Sequence, residues 1–131
     1  MVVGAHAMAV HGVPRATGDL DVWIDTRGDN PSRVLATLAR FGAPIETLGL
    51  SQSALTRPDQ VVQIGLPPRR IDLLTALSGL EFEQAWPGRA VHRVGALDVP
   101  FIGRQDLIRN KRATGRTKDL ADLEALGESA S

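Results

Sequence analysis

The chain has 131 residues, 43% hydrophobic and 23% charged, which is typical of a globular protein with one core. Fifteen Lys and Arg residues balance fifteen Asp and Glu residues, so net charge indicates no nucleic-acid or membrane partner. The absence of cysteine excludes disulfides, thiolate nucleophiles and Cys-ligated zinc, and no apolar stretch approaches the roughly 20 residues that cross a bilayer. We expect one soluble, cytoplasmic domain over residues 1–131.

The first predicted elements are a short buried strand, a helix and a second strand. "MVV" ends at Gly4, and the alanine-rich "AHAMAVHG" that follows favours a helix. Residues 19–25, "DLDVWID", alternate with a period of two. Asp19, Asp21 and Trp23 therefore share one face of the second strand.

The next segment, "DNPSRVLATLARFG", predicts an amphipathic helix. Asp29 or Asn30 caps it, Pro31 suits the first turn and Gly42 ends it. Its predicted apolar stripe consists of Val34, Leu35, Leu38 and Phe41.

The rest of the chain predicts two hairpins and a helical end. "SQSAL" favours a short helix, "QVVQIGLP" and "RRIDLLT" a hairpin joined by Pro67-Pro68, and "LEFEQAW" a helical turn. "RAVHRVG" and "LDVPFI" predict a second hairpin, and residues 104–126 a helix with a break near Thr114-Gly115. In "RTKDLADLEAL" the leucines expected to face the core are Leu120, Leu123 and Leu126. This order predicts an α+β fold, with helices packed on a mixed sheet.

The two strand aspartates need an explanation because like charges on one face repel each other. One explanation is that Asp19 and Asp21 lie on an edge strand, on a face that is exposed to solvent. If their strand instead lies beside "RRIDLLT", Asp72 meets them. Three carboxylates from two strands suit Mg²⁺ or Mn²⁺, which would supply the missing positive charge. Gly4 before a helix adds weak support, because free N–H groups at a helix start attract phosphates.

Gly4-Ala5, then "DLDVWI" after thirteen residues, then the carboxylate in "RIDLL" together resemble the nucleotidyltransferase superfamily typified by DNA polymerase beta and kanamycin nucleotidyltransferase. The run "VVGAHAMAVHGVPRATGDLDVWID" is similar to small bacterial nucleotidyltransferase-like proteins, including relatives of toxin–antitoxin nucleotidyltransferases. "DLIRNKRATGRTKDLADLEAL" resembles the end of those proteins, so the similarity spans nearly the whole chain. It implies a nucleotidyltransferase-like mixed β-sheet.

The resemblance also implies roles for individual residues. Asp19 and Asp21 would ligate Mg²⁺ or Mn²⁺, and Asp72 would be the third ligand and a candidate base for the attacking hydroxyl. Gly4, Ala5 and the N–H groups after them would hold the phosphates of an NTP. The implied reaction transfers an NMP from the NTP to a hydroxyl of RNA, a protein or a small molecule.

Two departures from the superfamily pattern keep a second hypothesis open. Ala5 stands where the superfamily has Gly or Ser, so a hydroxyl contact to phosphate is lost. The chain begins at "MVVG", whereas relatives carry a helix and a longer first strand there; either the start is short or an upstream segment is missing. Both points favour a weak or inactive module that binds a partner such as a cognate antitoxin-like protein. A phosphohydrolase that uses the same three carboxylates is a third hypothesis. The protein could form a homodimer under any of these hypotheses.

Basic residues elsewhere are candidate nucleotide contacts. Arg15 lies in the loop before the strand aspartates, and Lys111 lies in the basic C-terminal segment. Interleaved Asp106, Asp119 and Asp122 favour, as the alternative for Lys111, an ordinary salt-bridged helix face.

Overall fold

The structure is a computed structural model, which describes residues 1–14, 16–66 and 68–128. Its elements in chain order are β1 (Val2–Val3), α1 (Gly4–Val10), β2 (Asp19–Trp23), α2 (Asn30–Arg40), β3 (Val61–Leu66), β4 (Arg69–Leu74), α3 (Phe82–Ala85), a 3₁₀ turn (Trp86–Gly88), β5 (Ala90–Val94), β6 (Leu97–Phe101), α4 (Arg104–Thr114) and α5 (Thr117–Ala125). The strand pairing of both predicted hairpins, the helical turn and the break between the last two helices are confirmed, whereas Pro67, in the predicted turn of the first hairpin, lies outside the described residues.

The strands within the described ranges form one six-stranded sheet in the order β3-β4-β2-β1-β6-β5. The pairs β2–β4 and β1–β6 are parallel, and the other three pairs are antiparallel. With five α-helices in the same part of the chain, this mixed sheet confirms the predicted α+β class.

The parallel pairing of β2 and β4 is the feature that positions the site. Parallel neighbours need a crossover connection, which α2 and the following loop supply before β3 turns back into β4. The register places Asp19 opposite Arg70 and Asp21 opposite Asp72. The predicted neighbourhood of the two acidic strands is therefore confirmed.

Alternation at the carboxyl end of β2 places adjacent apolar side chains in two different core clusters. Trp23 is 2% exposed and belongs to a first core cluster with β1, α1, α4 and α5. Ile24 and Leu73 belong to a second core cluster, against which α2 packs. Successive side chains of a strand point to opposite faces, so these clusters cover the two sides of the central strands.

Three sequence predictions about packing and local structure are wrong. Phe41 is 85% exposed, because α2 ends at Arg40 and the chain turns before the phenylalanine reaches the core. Leu120 is 39% exposed, since Asp119 and Asp122 take the buried positions of α5 instead. "SQSAL" forms turns without an assigned helix.

Among the described residues, no helix is long and apolar enough to cross a membrane.

Candidate functional site

Three carboxylates converge on one side of the central strands. Asp19 and Asp21 lie two residues apart on β2, and Asp72 lies on β4 directly opposite Asp21. All three line a cleft of about 520 Å³, and Asp72 is only 8% exposed. We call Asp19, Asp21 and Asp72 the carboxylate cluster.

Gly4 brings the first turn of α1 against this cluster. Its φ is +69°, a conformation that favours glycine, and a Cβ at this position would collide with the carboxylate of Asp21. Gly4 and Ala5 both line the cleft. The glycine is therefore required by close approach of backbone to carboxylate as well as by the turn.

Arg70 lies on the carboxylate cluster. Its Nε donates to Asp72 Oδ1 at 2.9 Å and its Nη2 to Asp72 Oδ2 at 3.2 Å, a bidentate pair. The same Nη2 lies 3.3 Å from Asp19 Oδ2. One guanidinium thus bridges the acidic side chains of two strands.

Among the described residues, Arg70 supplies the guanidinium that contacts the cluster, and one guanidinium compensates only part of the charge of three carboxylates. Burial raises the pKa of Asp21. Repulsion by Asp72, a hydrogen bond to Asp72 and repulsion by Asp19 raise the pKa of Asp21 further. The nearby ammonium of Lys118 acts in the opposite direction. The raised pKa of Asp21 therefore opposes ionisation of this carboxyl in the absence of a further positive charge.

The donor types of the cluster match a divalent cation, since Mg²⁺ and Mn²⁺ prefer carboxylate oxygens. In the described parts of the chain, however, no group of three or more His, Cys, Asp or Glu side chains is arranged to hold a metal ion as it stands. Arg70 donates to both oxygens of Asp72 and to one of Asp19. The residues thus fit such a cation only if the guanidinium moves.

Lys111 belongs to a buried ion-pair network between α4 and α5. Its Nζ lies 2.9 Å from Asp122 Oδ2 and 3.4 Å from Asp119 Oδ1, and the lysine residue is 6% exposed. Thr114 and Arg116 also donate to Asp119. Lys111 lines the cleft, but these contacts favour the salt-bridged alternative over nucleotide binding.

The network keeps Asp119 ionised despite its burial. Burial alone would raise the pKa of Asp119, but hydrogen bonds from Arg116 and Thr114 and the charge of Lys111 hold it well below its usual range. Burial lowers the pKa of Lys111, and Asp119 opposes that shift. Removal of one partner from this network is expected to destabilise the fold, because an unpaired buried charge is costly.

The structure brings together all the predicted site residues that it describes. Gly4, Ala5, Lys111 and the carboxylate cluster line the same cleft, whereas Arg15 lies outside the described residues. Sequence reasoning missed Arg70. The period-two rule contained the signal, since a residue two before Asp72 in a strand shares its face.

A larger cavity of about 730 Å³ lies near the carboxyl ends of β2 and β4, and none of the predicted site residues lines it. Among its acidic groups, Asp25 and Glu83 are paired with Arg27 at 3.0 and 2.6 Å. The candidate site is assigned to the smaller cleft, where, in the described parts of the chain, three carboxylates converge beside the guanidinium of Arg70.

Comparison with known proteins adds no relative: no family model matches the chain, and no curated protein matches it.

Proposed function

We propose that the protein is a metal-dependent nucleotidyltransferase, which transfers an NMP from an NTP to a hydroxyl of an acceptor. The observation that supports this best is the convergence of the carboxylate cluster from two parallel strands beside the glycine turn of α1. The resemblance of the sequence motifs supplies the reaction type, and the cleft supplies a place for it.

In this proposal each residue has a defined task. Asp19 and Asp21 hold Mg²⁺ or Mn²⁺, which when bound neutralises charge on the phosphates. Asp72 is the third ligand and takes the proton of the acceptor hydroxyl, whose oxygen then forms a bond to the α-phosphorus as pyrophosphate leaves. Gly4 and Ala5 bring backbone close to the phosphates. The walls of the cleft orient the two reactants for in-line attack.

The acceptor is a hydroxyl of RNA, a protein or a small molecule, and the cleft residues do not distinguish these. The acceptor can be identified by incubating the purified protein with a cell extract, Mg²⁺ and each NTP in turn. Mass spectrometry would then reveal the added nucleotide mass. Asp72→Asn serves as the matched inactive control.

Binding tests the metal and nucleotide part of the proposal directly. We expect calorimetry to detect Mn²⁺ and NTP binding to the wild type and none to the Asp19→Asn/Asp21→Asn double variant. Glu46→Gln is the control, since Glu46 is exposed and does not line the cleft. Equal binding by wild type and double variant would refute this mechanism.

The second candidate is a module that does not catalyse transfer but binds a partner, such as a cognate antitoxin-like protein. Two observations favour it: Arg70 lies on the ligands that a cation would need, and Ala5 has no hydroxyl for a phosphate. This candidate predicts no label transfer from any radiolabelled NTP, even when the product of the neighbouring gene is present.

A further inference from the structure

Arg70 differs from an ordinary surface arginine in its position on the sheet. It lies two residues before Asp72 on β4, so both side chains project from the same face. The register places it directly opposite Asp19 on β2. Asp72 on its own strand and Asp19 on β2 are both members of the carboxylate cluster.

The contacts of Arg70 use the oxygens that a cation would need. Both oxygens of Asp72 and one of Asp19 accept hydrogen bonds from its guanidinium, at 2.9 to 3.3 Å. Mg²⁺ binds oxygen ligands at roughly 2.0–2.1 Å and carries two positive charges. Repulsion therefore opposes simultaneous occupation of the same oxygens by the cation and the guanidinium.

The side chain of Arg70 is partly open to solvent although it is hydrogen-bonded to the cluster. The side chain of Arg70 is 26% exposed, whereas the side chain of Asp72 is only 11% exposed. Arg70 lines the cleft and belongs to neither core cluster, so a rotation of its side chain toward solvent would remove no core contact.

We propose that Arg70 is a built-in counter-ion of the carboxylate cluster, which competes with divalent cations for Asp19 and Asp72. With its guanidinium in place, the two acidic strands pair without a metal. When the guanidinium swings away, the carboxylate cluster is released for cation binding. Arg70 therefore sets the cation affinity of the cleft. This inference rests on the proposed function, since it assumes that the cluster binds a cation.

Mn²⁺ binding, measured by calorimetry and by electron paramagnetic resonance, tests the competition without any need for the substrate. Arg70→Gln removes the charge, and we expect its Mn²⁺ dissociation constant to fall by about tenfold relative to wild type. Arg69→Gln is the matched control, because Arg69 is exposed, adjacent in sequence and on the other face of β4. We expect its affinity to equal that of the wild type.

Arg70→Lys keeps a positive charge beside the carboxylates but cannot form the bidentate pair with Asp72. We expect its Mn²⁺ affinity to lie between those of wild type and Arg70→Gln. The unfolding midpoint should also rise more on addition of Mn²⁺ in Arg70→Gln than in wild type, because the wild type already holds a counter-ion. Circular dichroism verifies that each variant is folded.

The outcomes separate this inference from the proposed function. Tighter binding in Arg70→Gln and an unchanged Arg69→Gln would support it. If the wild type binds Mn²⁺ and folded Arg70→Gln binds it with equal or lower affinity, the inference would be overturned and the proposed function would stay intact. Failure of the wild type and both Arg70 variants to bind Mn²⁺ would overturn both.

Discussion

At the scale of single residues, the negative charge of the carboxylate cluster opposes folding. Aspartate has poor strand propensity, and Asp21 lies opposite Asp72 across a strand pair. Burial and the two neighbouring carboxylates raise the pKa of Asp21. A residue that opposes folding in this way is often retained for function, and the proposed cation site is such a function.

Asp21→Asn should stabilise the protein in the absence of divalent cations. The pKa of Asp21 is higher in the folded than in the unfolded protein. Its contribution to folding stability is therefore complete below the pKa of the unfolded state and is lost as pH rises through the pKa of the folded state. Removing the charge should therefore stabilise by about 0.5 kcal/mol at pH 8 and by less at pH 4. Thermal unfolding in EDTA at both pH values measures the difference.

The control for this measurement is Asp98→Asn, because Asp98 is exposed and paired only at the surface with Arg93. Its effect should be small at both pH values. A loss of stability in Asp21→Asn at pH 8 would contradict a net repulsion between Asp21 and the neighbouring carboxylates.

At the scale of elements, α4 and α5 form one unit through a buried charged network. Gly115 adopts φ +60° at the break between the two helices, which allows α5 to begin at Thr117. Lys111 from α4 then meets Asp119 and Asp122 from α5. The break and the network together explain why two acidic positions of α5 are buried while Leu120 is exposed.

Lys111→Met should destabilise the protein by about 3 kcal/mol, because it leaves buried carboxylates without their ammonium partner. Lys118→Met is the matched control, since Lys118 is exposed on the same segment, and its effect should stay within about 0.5 kcal/mol. Urea unfolding monitored by circular dichroism gives both values. If Lys111→Met unfolds like the wild type but loses nucleotide binding, the lysine is a ligand contact instead.

At the scale of the whole molecule, the sheet separates two cores of different construction. The first core cluster joins β1, α1, α4 and α5, whereas the second is formed by α2, β3 and the loop after α2 on the central strands. Leu55 from that loop is completely buried in the second core cluster. The segment "SQSAL", for which the predicted helix is wrong, therefore contributes a central core side chain.

Leu55→Ala should cost about 2–4 kcal/mol of unfolding free energy, because it leaves a cavity in the second core cluster. Phe41→Ala should change stability by less than about 0.5 kcal/mol, since Phe41 is 85% exposed although the sequence pattern placed it in the core. Denaturant unfolding of the two variants compares them. Similar losses in both would show that the assignment of burial is wrong.

Local signals in the sequence determined most of the elements and the identity of the acidic residues. Period-two alternation predicted which face Asp19 and Asp21 share, and glycine and proline positions predicted most of the turns, because these effects act between near neighbours. The α+β class followed from the order of the elements. The same local rules also contained the position of Arg70 on the face of Asp72, although not its contact with Asp19.

Only the tertiary structure decided which distant groups meet. The parallel register of β2 and β4 places Asp72 opposite Asp21 and Arg70 opposite Asp19, and it depends on a long crossover through α2 and β3. The burial of Lys111 with Asp119 and Asp122 likewise depends on how α5 folds back on α4. Contacts of this kind arise from packing and charge compensation across the fold, so no local pattern along the chain specifies them.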